Sequence, residues 1–361
     1  MKIIGITGSY GKSTTKEFLS HILAGKYKTE KTNKNENNDF GVARKVLHDF
    51  DSQAEVFVAE MGAYKTGEIR SIAQFVHPEI GILTGLEPQH LELFGSFEKI
   101  LDAKFELIEA LPEGGMALFN VTNKDCERLA KRAEKLKTNL SILRYKLVSK
   151  FVPNNKFDAQ SKIKRITEND ITFEIKIGKT KKIFTAPVTG GHFIENLTGA
   201  ILLARKLNVP WTTIKKQLAS LDVPAHTMHT YELSDGMQVV DDTGNSNPRG
   251  FTAALNYVHT YAKKSKVVIA SGIIELGTYS SLIHQDIAKL ADDVVDVVVL
   301  TNSDFYSDFE KEISGGNEKL IVIEDPKDLI AFVKSLESSK TVLLLEGKLP
   351  SAFMQYINNH K

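Results

Sequence analysis

A chain of 361 residues, 42% hydrophobic and 25% charged, has the make-up of an ordinary globular protein with ample core, and its length suggests two or three domains. The formal net charge of +1 gives no basic field for nucleic acid or an anionic membrane, and no apolar run approaches a membrane span. A single cysteine, Cys126, excludes an intrachain disulfide framework and a cysteine-based zinc site, which fits a reducing, cytoplasmic setting; the N-terminus already reads as a core strand and not as a signal peptide.

The first predicted element is the most informative. Met1 to Thr7 is an apolar strand-like run, Gly8-Ser9-Tyr10-Gly11 is a glycine-bounded turn, and Lys12-Ser13-Thr14-Thr15 open an amphipathic helix. That order suits a phosphate cradle. Gly8 and Gly11 let the backbone turn its N–H groups toward an anion, and the helix N-terminus and Lys12 add positive charge. Ser13 is placed to ligate magnesium through its hydroxyl. One position departs from the general pattern: Ile6 stands where a first glycine is usual.

Strand-like and helix-like runs then alternate. Glu55 to Met61, Glu79 to Leu83 and Gly115 to Phe119 read as strands, with helical patterns near Thr66 to Phe75 and Phe97 to Ala110, the latter stopped by Leu111-Pro112. Such alternation predicts parallel strands with helical crossovers. Residues 141–186 change character, and Ser141 to Val148, Ile163 to Ile166, Ile171 to Ile177 and Lys182 to Ala186 read as antiparallel strands. Helices return over His192 to Leu207 and Thr212 to Leu221. A boundary falls near Val223-Pro224. Strands follow at Met237 to Val240, Lys266 to Ala270, Val294 to Leu300, Leu320 to Ile323 and Thr341 to Leu345, again alternating with helical patterns. The expected fold is α/β: a central P-loop domain with a mostly parallel sheet over residues 1–225, then a smaller Rossmann-like domain over residues 226–361. The second domain has no Gly-x-Gly-x-x-Gly turn, so nothing in it indicates a nicotinamide dinucleotide.

Candidate chemistry gathers where strands of the first domain end, the side on which doubly wound sheets bind ligands. Glu60 closes an apolar run before Gly62, His90 lies in the loop after the Glu79 to Leu83 strand, and Lys104 lies on the next helix. A carboxylate is a good magnesium ligand and an imidazole an unusual one. Taken singly, the three read more readily as a strand-end charge, a loop histidine and a solvated helix lysine; their surroundings reverse that reading.

The surroundings resemble the Mur ligase family, ATP-dependent amide ligases of peptidoglycan precursor synthesis, and within it the D-alanyl-D-alanine-adding branch. The resemblance covers nearly the whole chain. The opening motif is Thr7-Gly8-Ser9-Tyr10-Gly11-Lys12-Ser13-Thr14-Thr15; a second runs from Thr32 to Val42 with Asn35, Asn37, Asn38 and Gly41; a third is Glu60-Met61-Gly62-Ala63 through Gly67-Glu68-Ile69. His90-Leu91-Glu92-Leu93-Phe94-Gly95-Ser96 and Ala103-Lys104-Phe105-Glu106 follow, then Gly190 or Gly191 near His192 and Asn196, Asp241 through Pro248, and Glu275-Leu276-Gly277 with His284 downstream.

The resemblance implies a cytoplasmic, ADP-forming ligase with two magnesium sites. Gly8, Ser9, Tyr10, Gly11, Lys12, Ser13 and Thr14 would hold ATP, with Asn196 facing the adenine and Asp242 the ribose. Ser13 and Glu60 would ligate the first magnesium. His90 and a carbamylated Lys104 would support the second, and Lys12, Lys104 and His90 would be the catalytic set. Asn37, Asn38, Asn245 and Glu275 would touch substrate. Two metals would offset negative charge as a substrate carboxylate attacks the γ-phosphate, and the acyl phosphate would then take an amine to give an amide. The partners are thus a precursor carboxylate and an amino-acid or dipeptide amine.

Departures from the family pattern are specific. The UDP-binding domain that precedes the ATPase strand in the family is missing, so a separate UDP-binding chain, a shortened sequence or an acceptor without UDP would each account for it. His226 replaces an arginine, Phe193 an asparagine and Gly244 a tyrosine, and Glu346-Gly347-Lys348-Leu349 replaces a Lys-Gly-Ser-Arg run. Two other readings therefore stay open: an amide ligase building a poly-amino-acid such as poly-γ-glutamate, and a non-catalytic nucleotide-dependent binding module.

Overall fold

Strand β1, Lys2–Thr7, is buried over its last four residues because it lies in the interior of a sheet with other chain on either side. In the computed structural model, all residues are described except 34, 35, 90, 153–155, 224–226, 245, 262 and 263. Two units emerge: residues 1–188 with 192–222, and residues 189–191 with 223–361.

In the first unit β1 is followed by β2 (Thr29–Lys31), β3 (Val56–Glu60), β4 (Ile80–Leu83), β5 (Met116–Asn120), β6 (Ser141–Leu147), β7 (Ala159–Ile166), β8 (Ile171–Ile177) and β9 (Thr180–Ala186). Among the described residues these nine form one sheet in the order β2-β3-β1-β4-β5-β6-β7-β8-β9. Pairings are parallel from β2 through β7, with β8 and β9 added antiparallel. β1, β3, β4 and β5 are read correctly from their apolar runs, whereas β2, three half-buried residues, is not anticipated. The expectation of four antiparallel strands over 141–186 is corrected: β6 pairs parallel with β5 and β7 parallel with β6. The parallel β5–β6 pairing follows from a crossover helix, Lys124–Ala133, absent from the sequence reading. It is strongly polar overall and buries only Cys126, Leu129, Ala130 and Ala133, an i, i+3, i+4, i+7 stripe that charged residues disguise.

The chain leaves β1 toward β2 and leaves β4 toward β5, so connections reverse between these neighbours. This is the switch point at which a doubly wound sheet opens a crevice past its strand ends. Helices Lys12–Ala24 and Phe193–Lys206 pack together beside it, with Phe18 and Phe193 edge-to-face at 5.8 Å. Helix Phe97–Glu109 buries Leu101, Phe105 and Ile108 against Leu83, Ala117 and Phe119 on one side, and Ala103 and Leu107 against Ala59 and Met61 on the other. Burial on both sides of that helix carries Lys104 inward with it.

The second unit holds β10 (His229–Glu232), β11 (Gln238–Asp242), β12 (Ser265–Ala270), β13 (Val297–Leu300), β14 (Leu320–Val322) and β15 (Thr341–Glu346), ordered β10-β11-β15-β12-β13-β14. The last five are parallel, and β10 pairs antiparallel on the edge. β10 was not anticipated, because its four residues, His229-Thr-Tyr-Glu232, carry no apolar alternation. Its core joins Val239, Val267, Ile269, Val299, Leu343 and Leu345 to Leu329, Val333, Phe353 and Ile357 of helices Pro326–Ser335 and Ser351–Asn359.

Candidate active site

The turn after β1 is tightly fitted. Gly11, the N-cap of helix Lys12–Ala24, has φ 76, a left-handed conformation that favours glycine. A Cβ on Gly8 would come 2.3 Å from Thr84 Oγ1, so only glycine fits against the end of β4. Ser9 N donates to Gly85 O at 2.7 Å and Ser9 Oγ to Glu87 O at 3.0 Å, and the Tyr10 ring covers Gly85. Lys12 Nζ folds back onto its own loop, donating to Gly8 O at 2.8 Å and Ser9 O at 2.9 Å. Burial lowers the Lys12 pKa, and the charge on Glu60 opposes that shift.

Glu60 ends β3, whose five residues are all buried. Its Oε1 accepts from Ser13 Oγ and from Asn37 Nδ2, each at 2.9 Å, and its Oε2 lies 3.2 Å from Lys16 Nζ. Lys16 is 1% exposed and also donates to Asn33 O at 3.4 Å. Burial pushes the Glu60 carboxyl up, yet Lys16 and Lys12, with Asn37 and Ser13, together hold it below its ordinary value. Glu60 is thus ionised, in contact with the helix that the glycine turn opens.

Lys104 is 4% exposed, with Nζ 3.4 Å from Ala63 O and 5.8 Å from the centre of the Phe94 ring. Burial and, behind it, the charge of Lys12 lower its pKa to about 7, against the pull of Glu68 and Glu106. Glu106 is committed elsewhere: it accepts from Gly67 N at 2.6 Å and Arg70 N at 3.0 Å, securing the start of helix Glu68–Val76. The solvated-helix reading of Lys104 therefore does not hold.

The remaining assigned residues fall into groups. Thr14 is buried on the first turn of its helix. Asn196 is 5% exposed, with Oδ1 2.8 Å from where a Cβ on Gly11 would lie, so it borders the glycine turn. Asn37 serves Glu60, and Asn38 caps helix Asp39–His48 by accepting from Gly41 N at 2.8 Å. His90 and Asn245, like the substituted position His226, lie outside the described residues.

In the second unit, Asp242 ends β11 opposite Glu346 at the end of β15. Asp242 Oδ1 accepts from Met228 N at 3.0 Å, Asp241 Oδ1 accepts from Thr243 Oγ1 at 2.6 Å, and Ser246 Oγ donates to Glu346 Oε1 at 2.6 Å. Glu275 has φ 64 in the loop after β12. That loop is held by His284, which is fully buried and stacked on Phe305 at 4.0 Å; its Nε2 accepts from Ile273 N at 3.0 Å.

Sequence reasoning missed Lys16 as the cation on Glu60, although a lysine on the stripe shared with Leu19 and Leu23 was a legible signal. It also missed the bonds from Asn120 Nδ2 to Thr84 O at 2.8 Å and to Glu195 Oε2 at 2.7 Å, which brace β4, β5 and helix Phe193–Lys206 behind the turn. Glu346 had drawn notice only as a charge reversal.

Ser13 Oγ and Glu60 Oε1 are hard oxygens of the kind magnesium takes, and their 2.9 Å contact marks a place one ion could share. Among the described residues no group of three or more His, Cys, Asp or Glu could hold a metal, so phosphate oxygens and water would complete such a site.

A glycine turn, a lysine and an ionised carboxylate at the switch point of a parallel sheet define a P-loop nucleotide-binding protein, here joined to a Rossmann-like unit. Residues 6–204 match the Mur ligase middle domain, and residues 228–349 match the Mur ligase glutamate ligase domain. The chain belongs to the Mur ligase family. The UDP-N-acetylmuramoyl-tripeptide–D-alanyl-D-alanine ligase of Bacillus subtilis (strain 168) is 26% identical over 358 residues, covering 96% of this chain and 73% of that one. The protein of the same name from Escherichia coli (strain K12) is 28% identical over 291 residues, 80% of this chain and 62% of its own. Among solved structures, MurF from Acinetobacter baumannii aligns with a TM-score of 0.85 at 24% identity, over 99% of this chain and 76% of that one. MurF ligase from Thermotoga maritima in complex with ADP aligns at 0.80 and 23%, over 99% and 79%. At those identities the structures establish the fold.

Proposed function

We propose that this chain is an ADP-forming, ATP-dependent amide ligase of the Mur type, working in the cytoplasm on a peptidoglycan precursor. The observation that carries this reading is the ionised Glu60 held between Ser13 and Lys16, beside a glycine turn whose lysine donates to that turn's own carbonyls. The names of the relatives supply the substrates: a UDP-N-acetylmuramoyl-tripeptide carboxylate and D-alanyl-D-alanine as the amine. Each relative is a longer single chain, so a separate UDP-binding chain has no support.

In this reading Lys12 exchanges its loop carbonyls for the β- and γ-phosphates of ATP, with the amides of Gly8 to Ser13 around them. Tyr10 and Asn196 border the nucleotide, Asn196 on the adenine side, and Asp242 is assigned to the ribose. Ser13 and Glu60 would hold magnesium, which would supply charge neutralisation on the phosphates. An oxygen of the substrate carboxylate bonds to the γ-phosphorus as the bond to ADP breaks. The amine nitrogen then bonds to the acyl carbon, loses a proton, and phosphate departs, leaving the amide.

Lys104 is assigned a carbamate. With its pKa near neutrality a free amine is available to bond to the carbon of carbon dioxide, releasing one proton and becoming an anionic oxygen donor. With His90 it would serve a second magnesium. Asn37 and Asn38 act through Glu60 and the adjoining helix, while Asn245 and Glu275 are left to substrate.

The test is ADP release from purified protein given the tripeptide precursor and D-alanyl-D-alanine, with the product mass measured. A product heavier by one dipeptide less water supports the reading. ADP release only with glutamate or a glutamate oligomer would favour the poly-amino-acid reading, and nucleotide binding without turnover on any pair would favour a binding module.

A further inference from the structure

The ends of β11 and β15 place two carboxyl groups side by side: Asp242 and Glu346 are register partners, 6% and 1% exposed. Each already accepts one bond, Asp242 from Met228 N and Glu346 Oε1 from Ser246 Oγ. Glu346 Oε2 is buried, and among the described residues no donor reaches it. The titratable groups facing Glu346 are Asp242 and Asp241 from β11, both acids. Ser271, after β12, approaches the neighbouring Gly347, and helix Pro248–Val258 packs there with Phe251, Ala254 and Leu255. Among the described residues the charges that shift Glu346 are these two acids, and Arg249 stands on the first turn of that helix. A buried carboxylate oxygen with no donor, beside a second carboxylate, is costly as an anion, and a proton bound between the two removes that cost.

We propose that Glu346 carries a proton that it shares with Asp242, and that this acid–carboxylate pair positions Asp242 and Ser246 for binding a nucleotide. The proposal rests on the assignment of Asp242 to the ribose. Glu346 acts as a positioning residue on two side chains: it donates to Asp242 and accepts from Ser246. Where the family pattern has a lysine, this chain supplies a neutral donor in place of a cation.

The electrostatics agree with that geometry. Burial, with the Asp242 charge behind it, pushes the Glu346 carboxyl well above its ordinary value. Burial also raises Asp242 to about 7, against the bond from Met228 N. The two titrate as a pair, so over an intermediate range it holds one proton and one negative charge. Below about pH 7 a second proton removes the carboxylate acceptor. At alkaline pH loss of the shared proton sets two buried anions against each other. Nucleotide affinity is therefore highest between these limits.

Two measurements test this. Infrared spectra of nucleotide-free protein near neutral pH should show the carbonyl stretch of a buried protonated carboxylic acid, absent in Glu346→Gln. Calorimetric titration with ADP should give a wild-type affinity that falls at alkaline pH, by about tenfold to a hundredfold, the size of one hydrogen bond to a charged group. Glu346→Gln, which keeps a neutral donor, should bind ADP tightly without the alkaline loss, and Glu346→Ala should bind more weakly at every pH. A missing carbonyl band overturns the shared proton whatever the protein binds. A Glu346→Gln variant that keeps the alkaline loss, or weakens as much as Glu346→Ala, overturns the positioning role. Unchanged ADP affinity in Asp242→Ala overturns instead the assignment of the ribose.

Discussion

β3 and β15 are both fully buried strands that end in glutamate followed within two residues by glycine, yet they stabilise that glutamate by opposite means. Glu60 meets Lys16 at 3.2 Å, with Lys12 acting from farther off, and stays ionised. Glu346 meets two aspartates, which with burial push its carboxyl up, and in the proposed pair it holds the proton. Sequence pattern alone does not separate the cases. What decides is the partner strand end: the β1 turn feeds a helix that places lysines four residues apart, whereas β11 ends in Asp241-Asp242. The contrast suits different tasks, since an ionised carboxylate can hold magnesium and a protonated pair can orient neutral hydroxyls.

The largest expected break in that contrast is Lys16→Met. It leaves Glu60 buried without its cation and should lower unfolding stability by about 3–5 kcal/mol, read from the denaturant midpoint. Glu346→Gln removes no compensating charge and should shift the same midpoint far less. Equal shifts would mean the two glutamates are held alike.

Lys12→Ala comes next. It should cut ADP release by about 10²–10³-fold, the scale for losing one preorganised transition-state donor, with little change in thermal unfolding. Turnover like that of the wild type would place the phosphates elsewhere.

Lys104 sharpens the comparison through its proton. Its folded pKa of about 7 lies below the ordinary 10.5, so between these values the unfolded chain binds a proton that the native chain does not. Stability contributed by this site therefore rises with pH across that window, and Lys104→Met should flatten the rise. Lys104→Ala should lose about a hundredfold in turnover, the scale for removing one charge-stabilising group, and short carboxylic acids should restore part of it. Full activity of the alanine variant, with an unmodified lysine in wild-type mass spectra, would remove the carbamate.

A smaller effect is expected at Asp242→Ala, which should weaken ADP binding by about tenfold to a hundredfold, as for one lost hydrogen bond to a charged group, without altering magnesium dependence at Ser13 and Glu60. Smallest of all is Arg128→Ala. The Arg128–Glu98 pair is bidentate at 2.8 and 2.6 Å, but both side chains are more than half exposed, so no measurable loss of stability should follow.

Much of this was legible in the sequence. The glycine turn, Lys12, Ser13 and the buried strand ending at Glu60 are local signals, and the alternation of runs carried the parallel sheets. What escaped depends on long-range partners. The direction of β6 hinged on a polar crossover helix, and the burial of Lys104 followed from a helix covered on both faces. The pairing of Glu346 with Asp242 followed from register with a strand about a hundred residues away in sequence. Asn38 fits the family motif, but its side chain is committed to capping a helix.

The outer strand β9 has a consequence for how the protein behaves in crowded solution. It closes the large sheet on one side, and Lys181, Lys182 and Ile183 along it are all exposed, Ile183 at 60%. A bare strand with an outward isoleucine is a template onto which another copy could add, and flanking lysines oppose this by mutual repulsion and by the water they keep. Neutralising that pair of charges would leave catalysis alone and lower the concentration at which the protein clouds.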